Sequence, residues 1–421
     1  MTNSASSCCD SNTKQHLNDL DSVIDWLLGH ANILSECEDA YEEVTLTRAL
    51  NRVLAEDLVS TIDVPPADNS AVDGYAMAVD ALDASLSLPI SQRIPAGHAP
   101  EPLAKGSAAR IFTGASIPEG ANCVIMQEQA CLDNDSLEVK FQSQPSLQQN
   151  IRPKGQDIEA GQVILHKGQT LSAQRLGLIA SIGLAKVKVY RPLKVAFLST
   201  GDELVEPGEV TQTGQIYNSN RYLLNGLLQN FQFETIDLGV IPDQLDATQA
   251  ALEKAAKLAD VVITTGGASV GEEDYIQTAI KSLGHIDLWR VAIKPGKPFM
   301  FGKINDTPVL GLPGNPGAVF VTYLLLARPF LLSAQGLTQI TPSIFKLPLA
   351  FDLKKAGIRR EFLRVKQNES GQLCRHPNQS SGMLSSASWA EGFAVIQENT
   401  VPKQGDLVDF IPFTSLFSLN N

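Results

Sequence analysis

Three loops between residues 259 and 316 hold the side chains best suited to chemistry. The β-branched run Val261-Val262-Ile263-Thr264-Thr265 reads into Gly266-Gly267-Ala268-Ser269-Val270-Gly271, and then into three acids, Glu272, Glu273 and Asp274. A glycine-rich turn at a helix start aims consecutive N–H groups at a phosphate or another oxyanion. Lys294-Pro295-Gly296-Lys297-Pro298 places two ammonium groups around a rigid turn, and Gly311-Leu312-Pro313-Gly314-Asn315-Pro316 stiffens the approach to a helix. Asp202, Glu203 and Asp243 are further acids that follow strand-like runs. Carboxylates beside a phosphate cradle can hold Mg²⁺, which leaves coordination sites for phosphate oxygens and water. Plainer readings stand beside each of these: helix-dipole stabilisation for Glu272 and Glu273, a solvated lysine pair, and an ordinary turn at 313–316.

The elements that must position these loops begin near Leu193, where strands start to alternate with helices. Strands are expected at 194–199, 234–238, 261–265, 286–291, 299–303 and 309–312. Helices are expected at 222–232, 246–258, 275–283 and 318–332, the second opened by a capping box at Asp246 to Gln249. This alternation predicts a largely parallel sheet, whose strand ends are where ligands bind.

Before it, Leu17, Leu20, Val23, Ile24, Leu27 and Leu28 recur at helical spacing. A second helical piece is expected at 47–55. The polar loop from Asp63 to Ala76 contains Asp73, and short strands at 108–112, 123–126 and 137–141 suggest a small inserted β domain. Thr113 stands at the end of one of these strands, where its hydroxyl could reach a ligand. The basic loop from Ile151 to Ile158 includes a single acid, Asp157. A helix at 173–182 and a strand at 185–190 follow, and short strands return after 341. The expected divisions are a disordered tail at 1–14, a discontinuous helical domain at 15–58 and 155–190, the β insertion at 59–154, an α/β domain at 191–340, and a terminal β domain at 341–421.

The 421 residues carry a net charge of -13. That balance argues against a nucleic-acid partner, which needs a basic face; an anionic substrate requires a local concentration of lysine and arginine. The six cysteines show no paired metal spacing and read as reduced thiols of a cytoplasmic protein. No targeting segment is recognisable, and no apolar run is expected to reach the roughly 18 residues that span a membrane.

Seven stretches, in order, resemble the molybdopterin molybdenumtransferase family, which inserts molybdate into adenylylated molybdopterin. They are Asp68-Asn69-Ser70-Ala71-Val72-Asp73-Gly74-Tyr75-Ala76, Arg110-Ile111-Phe112-Thr113-Gly114-Ala115, Met126-Gln127-Glu128, Ser199-Thr200-Gly201-Asp202-Glu203-Leu204, Thr265 to Gly271, Lys294 to Pro298 and Gly311 to Pro316. The resemblance implies a homodimer of four-domain subunits that includes a three-layer α/β domain and a C-terminal β barrel. It places the active site where the α/β domain of one subunit faces the first β domain of the other.

Carried over by position, Asp73, Thr113, Asp157, Glu203 and Asp243 are the implied catalytic residues. Thr265, Gly266, Gly267, Ser269, Gly271, Lys294, Lys297, Pro313, Pro316, Arg360 and Ser381 are the implied substrate-binding residues, with Arg359 adjacent to Arg360. Mg²⁺ would be held by some of Glu203, Asp243 and Asp274. Implied partners are adenylylated molybdopterin, molybdate, a molybdopterin adenylyltransferase and recipient apo-molybdoenzymes. After Asn315-Pro316 many members continue Val-Ser, whereas this chain has Gly317-Ala318 and lacks that hydroxyl. Two other readings are an adenylyltransferase that shares the α/β domain and a non-catalytic scaffold.

Overall fold

The computed structural model describes residues 17–34, 37, 39–82, 85–133, 137–266 and 275–419. Its central sheet has the strand order Glu234–Ile241, Lys194–Thr200, Val261–Thr265, Thr307–Leu312, Met300–Ile304, Gly284–Trp289. The first four strands are mutually parallel; Met300–Ile304 runs against them and Gly284–Trp289 runs against Met300–Ile304, so the sheet is mixed at one side. Period-two alternation assigns the two faces. Val195 and Phe197 belong to one core with Leu224, Leu227 and Val319, while Ala196 and Leu198 belong to another with Leu252, Ile276 and Ile280. Helices therefore cover both sides, which is why all five residues of Val261–Thr265 are buried and apolar or β-branched.

The helix Pro316–Ala334 is longer than the sequence pattern suggested. It spans 19 residues with a mean hydropathy of 1.6, yet 89% of that window is buried within the protein, as in a core helix. A π turn, Tyr323–Ala327, interrupts it. Arg328, just beyond, is 1% exposed and donates to the Ile340 carbonyl at 2.9 Å. Burial lowers its pKa to about 10.

Two local expectations fail for identifiable reasons. The helix Leu245–Leu258 starts ahead of the supposed capping box, from Gln244, with no side-chain cap. Asp246 instead lies in the first turn, where the helix dipole favours an acid, and the Thr248 hydroxyl donates to the Gln244 carbonyl at 2.9 Å. Within 47–55 the only helical turn is Leu46–Arg48, because Asn51 takes a left-handed φ of 62° and Val53 and Leu54 bridge to Thr170 and Val189.

The segments flanking the β insertion do meet. Tyr41–Thr45 pairs antiparallel with Lys186–Tyr190, and Leu58–Val59 with Val163–Leu165. The first helix, Leu20–Gly29, packs elsewhere: Trp26 stands edge-on to Phe301 at 5.0 Å, on the α/β unit. Between the flanking segments a six-stranded sheet places Gly74–Met77 between Cys123–Met126 and Ala108–Ile111. A third six-stranded sheet holds the C-terminal strands, in the order Ile293–Lys294, Arg360–Gln367, Gly392–Ile396, Leu407–Pro412, Phe345–Pro348, with Leu373–Arg375 added beside Arg360–Gln367. Among the described residues its two end strands are not paired with each other. Its first strand comes from the α/β unit, with Lys294 opposite Glu361, and so locks the lysine loop to the C-terminal sheet.

Candidate active-site cleft

A cleft of about 780 Å³ lies at the C-terminal ends of the parallel strands. Loops from the α/β unit form most of it, and Arg359, Gln379, Ser380 and Ser381 enter from the C-terminal unit.

Glu203 and Asp243 both line the cleft, from the two strands Lys194–Thr200 and Glu234–Ile241. Gly201, at φ 144°, makes room for the first: a Cβ there would lie 2.5 Å from Glu203 Oε2, so the carboxylate folds back over a bare glycine. Asp202 and Asp243 hold each other's loops. The Asp202 N–H donates to Asp243 Oδ2 at 3.2 Å, and the Asp243 N–H donates to Asp202 Oδ1 at 3.1 Å. Among the described residues no basic side chain pairs with Glu203 or Asp243, and no three acids, histidines or cysteines gather as a metal cluster.

On the central strand the Thr265 and Ser199 hydroxyls share a buried hydrogen bond of 2.8 Å. Gly266 has φ 88°, and a Cβ would approach the Thr200 carbonyl to 2.9 Å. The polypeptide can turn so tightly there only with glycine. Pro313 and Pro316 line the cleft from the next strand, and Asn220 Nδ2 secures that loop by donating to the Gly314 carbonyl at 2.7 Å. Gly267, Ser269, Gly271 and Asp274 lie outside the described residues.

Lys294 and Lys297 face the same space but differ in pairing. Lys294 Nζ is 2.9 Å from Glu361 Oε1, whereas Lys297 has no carboxylate partner among the described residues. Gly296, at φ 110°, lets the turn settle on the long helix, since a Cβ would lie 2.4 Å from Thr322 Cγ2.

The two adjacent arginines separate. Arg359 lines the cleft and donates to the Ile293 carbonyl at 3.1 Å. Arg360 turns away and grips both Asp21 oxygens at 2.6 and 2.9 Å, with Glu398 3.3 Å off. The hydrogen bonds to Asp21 hold its pKa above the usual arginine value.

Asp73, Thr113 and Asp157 are not among the lining residues of this chain's cleft. The first two are nevertheless brought together: the Thr113 N–H and hydroxyl donate to Asp73 Oδ1 at 2.7 and 2.8 Å. Those two bonds, the N–H first, lower the Asp73 pKa. Asp157 is exposed, with its N–H donating to the Val64 carbonyl at 2.9 Å. Gln379, Ser380, Asn218, Asn220 and Tyr217 also line the cleft and were not singled out from sequence. Only Asn218 and Asn220 carried a signal, as amides at a helix start that follows a strand.

Three family models match in order: the MoeA N-terminal region (domain I and II) over residues 19–183, a probable molybdopterin binding domain over 196–333, and the MoeA C-terminal region (domain IV) over 346–413. A molybdopterin molybdenumtransferase of Haemophilus influenzae is 43% identical over 382 residues, 89% of this chain and 94% of that protein. The chain belongs to the MoeA family of molybdopterin molybdenumtransferases. Molybdopterin molybdenumtransferase 2 of Mycobacterium tuberculosis, another MoeA relative, is 33% identical over 88% of this chain and 95% of its own. Among solved structures, a molybdopterin biosynthesis MoeA protein from Pyrococcus horikoshii superposes with a TM-score of 0.79, at 33% identity, over 94% of this chain and 99% of its own. The cleft of this MoeA chain draws on two of the matched regions. The molybdopterin-binding region supplies Glu203, Asp243, Lys294 and Lys297, and the C-terminal region supplies Arg359 and Ser381.

Proposed function

We propose that the chain, working in the cytoplasm, inserts molybdate into adenylylated molybdopterin with release of AMP, in a reaction that requires Mg²⁺. The observation that carries this reading is one cleft with two kinds of wall. Acids come from the strands at one side of the sheet, whereas lysines, Arg359 and serine hydroxyls are gathered where the α/β and C-terminal units meet.

Molybdate is a tetrahedral dianion, so ammonium, guanidinium and hydroxyl donors suit it. Lys294, Lys297, Arg359 and Ser381 would bind it; the reading passes from Arg360 to Arg359 because Arg360 is committed to Asp21. The loops at Gly266 and at Pro313 to Pro316 would bind the phosphoanhydride. Glu203 and Asp243 suit Mg²⁺, since both reach the cleft and neither is neutralised by a basic group among the described residues; Asp274, beyond those residues, is a third candidate ligand. When bound, the ion would offset charge on the phosphate oxygens. Holding two anions in contact is the main task of the chain's own residues, and positioning with charge neutralisation can supply several kcal/mol each. Asp73, Thr113 and Asp157 would complete the site from the second copy in a homodimer, because none of them lines this chain's own cleft.

Purified protein incubated with adenylylated molybdopterin, Mg²⁺ and molybdate tests the reading. Molybdate-dependent AMP release that activates an apo-molybdoenzyme supports it. ATP consumption without molybdate would favour an adenylyltransferase, and binding without AMP release a scaffold.

A further inference from the structure

The serine loop of the cleft, 379–383, is fixed from two directions by residues that do not themselves line it. Beneath it is Arg364, 1% exposed on the strand Arg360–Gln367. Its Nη2 donates to the Ser380 carbonyl at 3.1 Å and its Nε to Ser386 Oγ at 3.1 Å, while Ser386 Oγ donates to the Met383 carbonyl at 2.7 Å. The Gln379 amide grips the backbone of the same arginine: the Arg364 N–H donates to Oε1 and Nε2 donates to the Arg364 carbonyl, both at 2.9 Å. No carboxylate pairs with Arg364 among the described residues, so carbonyls and one hydroxyl serve a buried charge. Hydrogen bonds alone hold this charge, so a side chain that cannot reproduce them would release the loop.

From the other direction the loop rests on Gly317. A Cβ there would lie 2.7 Å from the Ser381 carbonyl oxygen and 3.3 Å from that of Met383. The Ala318 N–H donates to the Ser381 carbonyl at 3.1 Å, and Ala318 itself lines the cleft. Any side chain at 317 must therefore push backbone away, and that backbone carries Ser381.

We infer that Gly317 and Arg364 are positioning residues that set how closely the Gln379, Ser380 and Ser381 loop approaches Lys294 and Lys297, and so set the affinity of the cleft for its oxyanion. The inference rests on the molybdate reading above. It gives the Gly317-Ala318 departure a physical role: the hydroxyl absent at 318 is offset by a loop held in direct backbone contact.

The test uses full-length Gly317→Val and Arg364→Lys, with Gly226→Ala as control because a Cβ at 226 meets nothing within 4 Å. The molybdate KM for AMP release should rise tenfold or more in both variants. Their kcat at saturating molybdate should stay within threefold, the KM for the pterin substrate should hold, and the control should match wild type. An unchanged molybdate KM in folded Gly317→Val and Arg364→Lys would overturn the inference; so would a joint fall in kcat and in affinity for both substrates, which is general damage. If Gly317→Val does not fold, Gly317→Ala places the same first carbon and should give a smaller rise. Equilibrium dialysis of molybdate without pterin separates the two claims. If wild type releases no AMP, the functional reading fails, and weaker or equal molybdate binding by the variants then decides this inference alone.

Discussion

Asp73 Oδ1 accepts both the backbone N–H and the hydroxyl of Thr113, a residue 40 positions away, at 2.7 and 2.8 Å. The carboxylate is fixed without a salt bridge, at the start of an inner strand where the next residue, Gly74, admits no side chain: a Cβ would fall 1.9 Å from the Ile125 carbonyl oxygen. The pair is thus held ready on the surface of the β insertion.

Thr113→Val should keep the N–H bond, lose the hydroxyl bond and reduce AMP release about tenfold, with thermal stability nearly unchanged. The pH profile supplies the sharper readout. A depressed carboxylate pKa keeps Asp73 charged as pH falls, until its folded value is reached. Removing one of the two bonds that depress it should move the acid limb of kcat/KM to higher pH. An unmoved limb would separate Asp73 from the reaction.

Gly201→Ala should disable Glu203 without touching it. The added carbon would sit 2.5 Å from Glu203 Oε2 at a φ of 144°. Titration of AMP release with Mg²⁺ should require at least tenfold more metal than wild type. A variant with wild-type Mg²⁺ dependence would show that the folded-back carboxylate does not serve the ion.

The lysines should not be equivalent. Lys294 already has Glu361 at 2.9 Å, so Lys294→Ala leaves an acid uncompensated as well as removing a cation. Glu361→Gln should lower the molybdate KM by freeing Lys294, and Lys297→Ala should raise it about tenfold or more. Steady-state kinetics at fixed ionic strength would distinguish these from a screened, nonspecific effect, in which all three changes would be small.

Stability should depend on the joint between the linker and the α/β unit. Arg191 and Asp260 form a bidentate pair of 2.7 and 2.9 Å at side-chain exposures of 15% and 13%, and Asp260 also accepts the Lys194 N–H at 2.8 Å. Asp260→Ala leaves the Lys194 amide without its acceptor and the guanidinium with only Asp39 at 3.5 Å and the Pro192 carbonyl at 3.2 Å, and should destabilise by about 1–3 kcal/mol in urea unfolding. A change below about 1 kcal/mol would place the pair among inconsequential surface bridges.

The parallel strands that carry the cleft were legible because they are largely β-branched or apolar runs that lead into glycine or proline, as at 261–266 and 309–314. The capping box was misread because Asp246 satisfies a local pattern while the chain enters the helix two residues earlier, from Gln244. Arg359 and Arg360 could not be separated by pattern. Neighbours on an extended strand face opposite ways, and only the pairing of Ile293 with Arg360 fixes which of them turns to the cleft. Gln379 and Ser380 carried no local signal, since their place depends on a buried arginine and on a glycine far away in sequence. The Asp73 to Thr113 contact was reachable only through the family resemblance, because spacing of 40 residues has no periodic meaning.

The central claim is tested most directly by AMP release from adenylylated molybdopterin, followed with and without molybdate in the presence of Mg²⁺. Release that saturates with molybdate, disappears on chelation of Mg²⁺ and yields cofactor able to activate an apo-molybdoenzyme is the predicted result. AMP release at the same rate without molybdate, or no release at all from folded protein, would contradict it.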